Sequence, residues 1–119
     1  MAKDKAKLIA EQNDLFRQNF GSNTSNNKEV KGQYCVTEGF NNLPLGDRLV
    51  ATMKIRKFDN FNPDNDPYKE HDMGRFKQNA HTILWKIDYY DLNYEYGSPE
   101  PSDSTKTRRV LTAMLGNEY

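Results

Sequence analysis

The residue types best suited to catalysis or ligand binding are concentrated between positions 59 and 72. This segment, called loop 59–72 below, contains five carboxylates, three asparagines, two prolines and one histidine. Connections in compact domains mostly span about two to eight residues, and longer ones are often functional or disordered. The sequence therefore predicts that this loop is the first place to look for a functional site.

The candidate catalytic residues of this loop are Glu70, His71 and Asp72. A pair of carboxylates about 5 to 9 Å apart can hydrolyse glycosides, and a histidine beside carboxylates can act as a general base. The chain has no nucleophile elbow, glycine-rich phosphate loop or deaminase motif to accompany them. A hydrolase or metal-dependent enzyme centred on these three residues is therefore the alternative hypothesis for function.

The carboxylates of loop 59–72 could also bind a metal ion. A calcium loop of the helix–loop–helix type requires acids at its first, third and fifth positions and glycine at the sixth. Counted from Asp64, the fifth position is Tyr68 and the sixth is Lys69, so the pattern fails. Two histidines and one cysteine are too few for a typical transition-metal site. We expect neither a metal nor another cofactor.

Tyrosines are interspersed with acids in this loop and again between positions 88 and 96. Tyrosine is enriched at binding hot spots, and carboxylates steer a basic partner. The predicted contact residues are Asp64, Asp66, Tyr68, Glu70, Asp88, Tyr90, Asp91 and Tyr94. Two alternatives stay open: the acids and asparagines could serve only the turns of the loop, and some tyrosines could complete the core.

Length and composition predict one soluble domain over residues 1–119. A chain of 119 residues can form a single core, and its single cysteine excludes an internal disulfide. No apolar run approaches the roughly 18 residues that a membrane helix requires. We therefore expect a cytoplasmic protein, with mobile segments at 1–7 and 22–28.

The charge is unevenly distributed although its net value is zero. Residues 59–103 hold ten acids against four Lys and Arg, whereas residues 1–58 hold six acids against ten. Nucleic-acid binders usually have a clustered basic surface and a high pI, and the pI here is about 6.7. The charge pattern therefore favours a basic protein partner over direct binding of nucleic acid.

Hydrophobic spacing predicts the elements that must position these residues. A first helix is indicated by the spacing of Leu8, Ile9, Leu15 and Phe16, and a strand is indicated at residues 34–37. A second helix, from about Pro44 to Phe58, is indicated by Leu45, Leu49, Val50 and Met53. Strict alternation at 83–90 indicates a strand with Trp85 in the core, paired with the run containing Phe76 across a turn near Asn79 and Ala80.

A third helix is predicted after position 103. Its spacing rests on Thr107, Val110, Leu111, Met114 and Leu115, with Arg108 and Arg109 on a solvated face or paired with the acidic middle of the chain. The predicted order is α-β-α-β-β-α. We expect an α+β domain of two layers, in which a small three-stranded antiparallel sheet packs against three helices.

Six strings of residues between Phe58 and Thr112 resemble the bacterial domain-of-unknown-function family 3768, and the resemblance extends from about Asn13 to Tyr119. They are Phe58-Asp59-Asn60-Phe61, Asp64-Asn65-Asp66-Pro67-Tyr68, Glu70-His71-Asp72, Trp85-Lys86-Ile87-Asp88-Tyr89-Tyr90-Asp91, Tyr96-Gly97-Ser98-Pro99 and Thr107-Arg108-Arg109-Val110-Leu111-Thr112. The segment 22–28 and the lysine-rich start depart from that pattern. The resemblance implies a small protein without an established activity, from bacteria and often from plasmids and other mobile elements.

Together these features lead to one functional hypothesis. We expect a small non-enzymatic protein-binding factor, and specifically an anti-defence inhibitor, such as an anti-CRISPR, from a phage or mobile element. Its acidic, Tyr-rich surface would block a basic, nucleic-acid-binding partner. We expect no direct contact with nucleic acid or with a membrane.

Overall fold

The described part of the chain, residues 4–21 and 30–119 of a computed structural model, contains three α-helices and four strands. In chain order they are α1 (Lys5–Arg17), β1 (Gly32–Val36), α2 (Glu38–Asn41), α3 (Leu45–Arg56), β2 (Met73–Gln78), β3 (His81–Tyr90) and β4 (Arg108–Leu115), followed by a 3-10 turn at Gly116–Glu118. None of the helices in the described ranges is long and apolar enough to cross a membrane.

The strands form one mixed sheet in the order β1-β4-β3-β2. Strand β1 pairs with β4 in parallel, whereas β4–β3 and β3–β2 are antiparallel. The predicted hairpin is confirmed, because Gln78 pairs with His81 across the turn at Asn79 and Ala80. The mixed α and β class is also confirmed. The sheet, however, has four strands and mixed direction, not three antiparallel strands.

The fourth strand is the segment predicted as the last helix, and that prediction is wrong. Arg109, Leu111 and Ala113 are buried at alternate positions, which is the period of a strand. A short apolar run fits both periods, and the β-branched Val110 and Thr112 favour a strand. Pairing on both sides, with β1 and with β3, decides between the two structures in the fold.

Helix α1 begins where the Asp4 side chain accepts a hydrogen bond from Ala6 N. Residues 5–7 of the predicted mobile start belong to this helix, and 1–3 and 22–28 lie outside the described residues. The buried side of α1 comprises Ile9, Ala10, Asn13, Phe16 and Arg17. The helix thus presents one polar and one charged side chain to the interior.

The core lies between the helices and one face of the sheet. It joins Phe16 of α1, Phe40 of α2 and Ile55 of α3 to Trp85 and Leu111 of the sheet. Trp85 is buried as predicted, and it lies opposite Gly74, where an added Cβ would come within 2.4 Å of the indole nitrogen.

Helix α3 lies close to the predicted range, but its core side is formed by Ala51 and Ile55. Leu45, Leu49 and Met53, which indicated the helix, are exposed. The helix therefore presents an apolar face outward.

Candidate functional site

Loop 59–72 is held in shape by its own asparagine side chains. Asn62 Oδ1 accepts hydrogen bonds from the backbone N–H groups of Asp64 and Asn65 at 2.9 and 3.1 Å. In return, Asn65 Oδ1 accepts from Asn62 N, and Asn65 Nδ2 donates to Asn60 O. These contacts are the local turn bonds that short polar side chains favour, so the asparagines have a structural role.

Asp66 is the buried centre of the loop. Its Oδ1 accepts hydrogen bonds from the N–H groups of Glu70 and His71 at 3.0 and 3.1 Å. Lys69 and His71 both adopt left-handed backbone conformations, with φ of 60° and 56°. Such conformations are costly for residues other than glycine and persist only where the surroundings enforce them. Asp66 therefore fixes the tight turn that presents His71, and it is not a surface contact.

His71 lies between two carboxylates. Its Nδ1 lies 3.0 Å from Oδ1 of Asp14 on helix α1, and its Nε2 lies 3.8 Å from Oδ2 of Asp66. The imidazole stacks on Phe61, with 3.9 Å between ring centroids and 2° between the planes. The ring is therefore held by charge on two sides and by stacking on a third.

Arg17 supports this arrangement from the core side. Its Nη1 donates to Asp14 Oδ1 and its Nη2 to Phe58 O, both at 2.9 Å. The guanidinium lies over the rings of Phe61 and Trp85, at 5.5 and 5.2 Å from their centroids. Aromatic faces and one carboxylate thus compensate a nearly fully buried cation.

A second polar network begins at Glu70. The Tyr89 hydroxyl donates to Glu70 Oε1 at 2.9 Å and accepts from Asn13 Nδ2 at 2.8 Å. Burial, together with the Glu70 carboxylate, raises the pKa of Tyr89 well above its ordinary value despite the bond from Asn13. Tyr89 consequently stays a neutral hydroxyl donor, and it holds the carboxylate of the half-buried Glu70.

Arg109 completes the second network, and its prediction as a solvated helix residue is wrong. The side chain is fully buried. Nε donates to Asn13 Oδ1 at 2.7 Å, Nη2 donates to Pro101 O at 3.0 Å, and the guanidinium lies 5.2 Å from the Tyr89 ring centroid. Burial lowers the pKa of Arg109 to about 10, although electrostatic interaction with Tyr89 and Glu70 acts in the opposite direction and raises it.

Asp72 lies where the loop joins the sheet, with its carbonyl accepting from Ile87 N at 2.8 Å. Burial raises the pKa of Asp72, and the carboxylates of Glu70, Asp66 and Asp88 raise it further, against a backbone hydrogen bond that lowers it. Glu70, Asp66 and Asp88 therefore lie close enough to Asp72 to repel its carboxylate charge.

The three candidate catalytic residues do not converge on one point. Glu70 is bonded to Tyr89, His71 faces Asp14, and Asp72 lies beside β3. A cleft of about 280 Å³ adjoins His71 and is also lined by Phe61, Pro63, Asp66, Pro67 and Lys69. Within residues 4–21 and 30–119 no group of three or more His, Cys, Asp or Glu could hold a metal ion.

The other predicted contact residues lie on or near the surface. Asp64 and Tyr68 are exposed, and the rings of Tyr90 and Tyr94 are 6.5 Å apart. Asp88 pairs with Lys86, and Asp91 Oδ1 accepts from the N–H groups of Asn93 and Glu95. Asp91 thus shapes its own turn, whereas Tyr68 has a free aromatic surface of the kind that binding sites use.

The sequence model of one family, described as "Protein of unknown function (DUF3768)", matches residues 36–118. The chain belongs to this family. The resemblance drawn from the six strings is thereby confirmed over the matched residues. No curated protein and no solved structure matches the chain.

The DUF3768 match includes loop 59–72, β3 and β4 but not helix α1. Asn13, Asp14 and Arg17, which contact the loop and β4, therefore come from the part of the chain before the match. Sequence reasoning missed all three. Asn13 alone carried a signal, because it lies at helical spacing between Ile9 and Phe16, on the buried side of α1.

Proposed function

We propose that this DUF3768 protein is a small non-enzymatic binding factor whose acidic face binds a basic protein partner. The acidic face is defined here by Asp64, Tyr68, Glu70, Asp72, Asp88, Tyr90, Asp91 and Tyr94. The observation that carries the proposal is the crowding of carboxylates around Asp72. Burial is the largest cause of the raised pKa of Asp72, and the neighbouring carboxylates raise it further. Like charges held together in this way cost stability, and a cationic partner would offset that cost.

Two exposed tyrosines, one in this face and one next to it in sequence, support the same proposal. Tyr68 is 77% exposed, and Tyr96, two residues after Tyr94, is 73% exposed. An aromatic ring in water contributes little to folding but buries a large area when a partner covers it. Tyrosine also loses little conformational entropy on binding, because it has only two side-chain torsions.

The anionic groups of the acidic face indicate the class of partner. A surface of carboxylates attracts the basic grooves that proteins use to hold the phosphate backbone. The finer proposal is that the partner is a nucleic-acid-binding defence complex and that this protein is a cytoplasmic inhibitor carried by a phage or mobile element. What supports it is the charge of the face.

Affinity purification at low salt, without crosslinking, tests the proposal. The tagged wild-type protein, the double variant Tyr68→Ala/Asp88→Lys and the control Tyr119→Ala would be compared in the same cells. Tyr119 is 71% exposed, much like Tyr68, but follows the 3-10 turn after β4, away from loop 59–72.

We expect the wild type and the control to recover the same basic protein, and the double variant to lose it. Raising the salt concentration or adding a polyanion should release it. Equal recovery by all three proteins, or recovery that is indifferent to salt, would contradict the acidic face as the binding surface.

A second candidate function is general-base catalysis by His71. The observation that favours it is the contact of Nδ1 with Asp14, because a carboxylate at Nδ1 favours the tautomer with its proton there. Nε2, which lies 3.8 Å from Asp66 Oδ2, is then the nitrogen that would accept a proton. The adjacent cleft of about 280 Å³ has room for a small polar substrate. Purified wild type would be assayed on chromogenic esters, glycosides and phosphodiesters beside His71→Gln. Equal rates for both proteins on every substrate would exclude this activity.

A further inference from the structure

The outward side of helix α3 carries an apolar stripe that is separate from the acidic face. Leu45, Leu49 and Met53 are 60%, 61% and 40% exposed. Residues four apart lie on the same side of a helix, so these side chains form a line about 12 Å long. Single exposed apolar residues are common on proteins, whereas an aligned set is typical of an interaction site.

The stripe leads into a groove at the C-terminal end of α3. The groove has a volume of about 260 Å³ and is lined by Met53, Lys54, Lys57, Phe58, Asp59, Asn60 and Phe76. Met53 belongs to both the stripe and the groove, so the two form one continuous apolar surface. Two aromatic side chains, Phe58 and Phe76, give the groove the character of a pocket for a large apolar side chain.

The groove carries two lysines against one acid. Lys54, Lys57 and Asp59 line it, and Lys54 Nζ donates to Lys77 O at 3.2 Å and lies 5.7 Å from the centroid of the Phe76 ring. Arg48, one residue before Leu49, is directed towards Asn41, because its Nη1 donates to Asn41 O at 2.9 Å. The acid of this helix, Asp47, accepts hydrogen bonds from Gln78 and Asn79, so its charge is directed towards the β2–β3 hairpin.

We infer that the stripe and groove of α3 form a docking site for an acidic amphipathic helix of a partner protein. Apolar residues of that helix at positions i, i+4 and i+8 would cover the stripe, and one of them would enter the groove. Its carboxylates would meet Lys54 and Lys57.

A synthetic peptide provides the probe. It is an end-capped Leu/Glu amphipathic helix of about 18 residues, since shorter isolated helices are marginal in water. A Leu/Lys peptide with the same apolar positions tests the charge requirement. Binding to the full chain is measured by fluorescence anisotropy, and the oligomeric state by sedimentation velocity.

The decisive variant is Leu49→Lys, which removes an apolar contact but adds a positive charge. Electrostatics alone would strengthen binding of the acidic peptide, so weakening on the order of tenfold or more identifies the stripe as the contact. The matched control is Leu15→Lys on helix α1, because Leu15 is 42% exposed, much like Met53. We expect Leu15→Lys and the acidic-face variant Tyr68→Ala to bind as the wild type does.

Four results would overturn the inference. They are unweakened binding of the acidic peptide by Leu49→Lys, equal binding of the Leu/Lys and Leu/Glu peptides, no binding of the acidic peptide to the wild type, and a wild-type dimer that Leu49→Lys dissociates. The last result would assign the stripe to a second copy. The acidic face contributes no residue to this site. Failure of this inference therefore leaves the proposed function unaffected, and failure of the proposed function leaves this inference unaffected.

Discussion

Nε of Arg109 donates a hydrogen bond of 2.7 Å to the side-chain oxygen of Asn13, 96 positions earlier in the chain. Both side chains are fully buried. The bond joins helix α1 to β4, which lies between β1 and β3 in the sheet. Asn13 also donates to Glu70 O and to Tyr89, so one amide links the helix, the loop and two strands.

Removing Arg109 should therefore destabilise the protein. Arg109→Ala leaves a cavity and deprives Asn13 Oδ1 and Pro101 O of their donor, and we expect a loss of about 3 kcal/mol in the free energy of unfolding. Urea denaturation measures this loss. The neighbouring half-buried Arg108, whose Nη1 donates to the carbonyl of Thr107, provides the control, and Arg108→Ala should cost less than about 1 kcal/mol. Similar losses for the two variants would contradict the role of Arg109.

Asp72→Asn should stabilise the protein at neutral pH. Because the pKa of Asp72 is raised in the folded state, the folded protein binds the proton more tightly, and stability falls as the pH rises from the ordinary value of 3.8 through the raised pKa. The variant cannot ionise and escapes this loss. Its advantage in melting temperature should disappear below pH 3.8. Asp64→Asn, at an exposed acid of the same loop, is the control. An advantage that persists in acid would contradict this origin.

Glu118→Gln should have the opposite effect and destabilise the protein at neutral pH. The Glu118 carboxylate accepts hydrogen bonds from Thr37 Oγ1, Gly39 N and Leu115 N, and the bond from Thr37 is the main reason that its pKa is lowered from 4.5. A lowered folded-state pKa contributes stability above pH 4.5 that is lost as the pH falls through the folded-state value. The variant should thus melt below the wild type at neutral pH and approach it in acid. Glu95→Gln, at an exposed acid, is the control.

Substitution by alanine should change the free energy of unfolding in opposite directions at two glycines. An added Cβ at Gly46 meets no atom within 4 Å, so Gly46→Ala should stabilise α3 by about 0.5 to 1 kcal/mol through helix propensity. At Gly74 the Cβ would lie 2.4 Å from the Trp85 indole nitrogen and 2.8 Å from the Phe58 ring. Gly74→Ala should cost on the order of 1 to 3 kcal/mol. Urea denaturation of both variants checks the pair, and a loss at Gly46 would be the contrary result.

Local sequence patterns predicted the elements whose periodicity is unambiguous. The alternation of Ile83, Trp85 and Ile87 predicted β3 and its buried face, and the hairpin followed from the turn before it. Residues 107–115 were misassigned because helical and strand spacing both fit them. Only pairing with β1 and β3 distinguishes the two, and such long-range pairing is not encoded in a local period.

The candidate site was predicted only in part. Loop 59–72 was identified from its composition, but the inward turn of Asp66 depends on two backbone N–H groups that only the folded loop brings together. Likewise, Asp14 meets His71 because α1 packs against the loop. Buried polar contacts between distant segments leave no spacing signal, so composition could indicate the region but not the partners.

The parallel pairing of β1 with β4 has a consequence for synthesis on the ribosome. Strand β1 emerges first and β4 last, yet within the described residues β1 pairs with no other strand. The edge of β1 therefore stays unpaired until β4 has left the exit tunnel, and contacts so distant in sequence form slowly. Nascent chains of this protein should thus be most vulnerable to chaperone capture and proteolysis just before that last strand arrives.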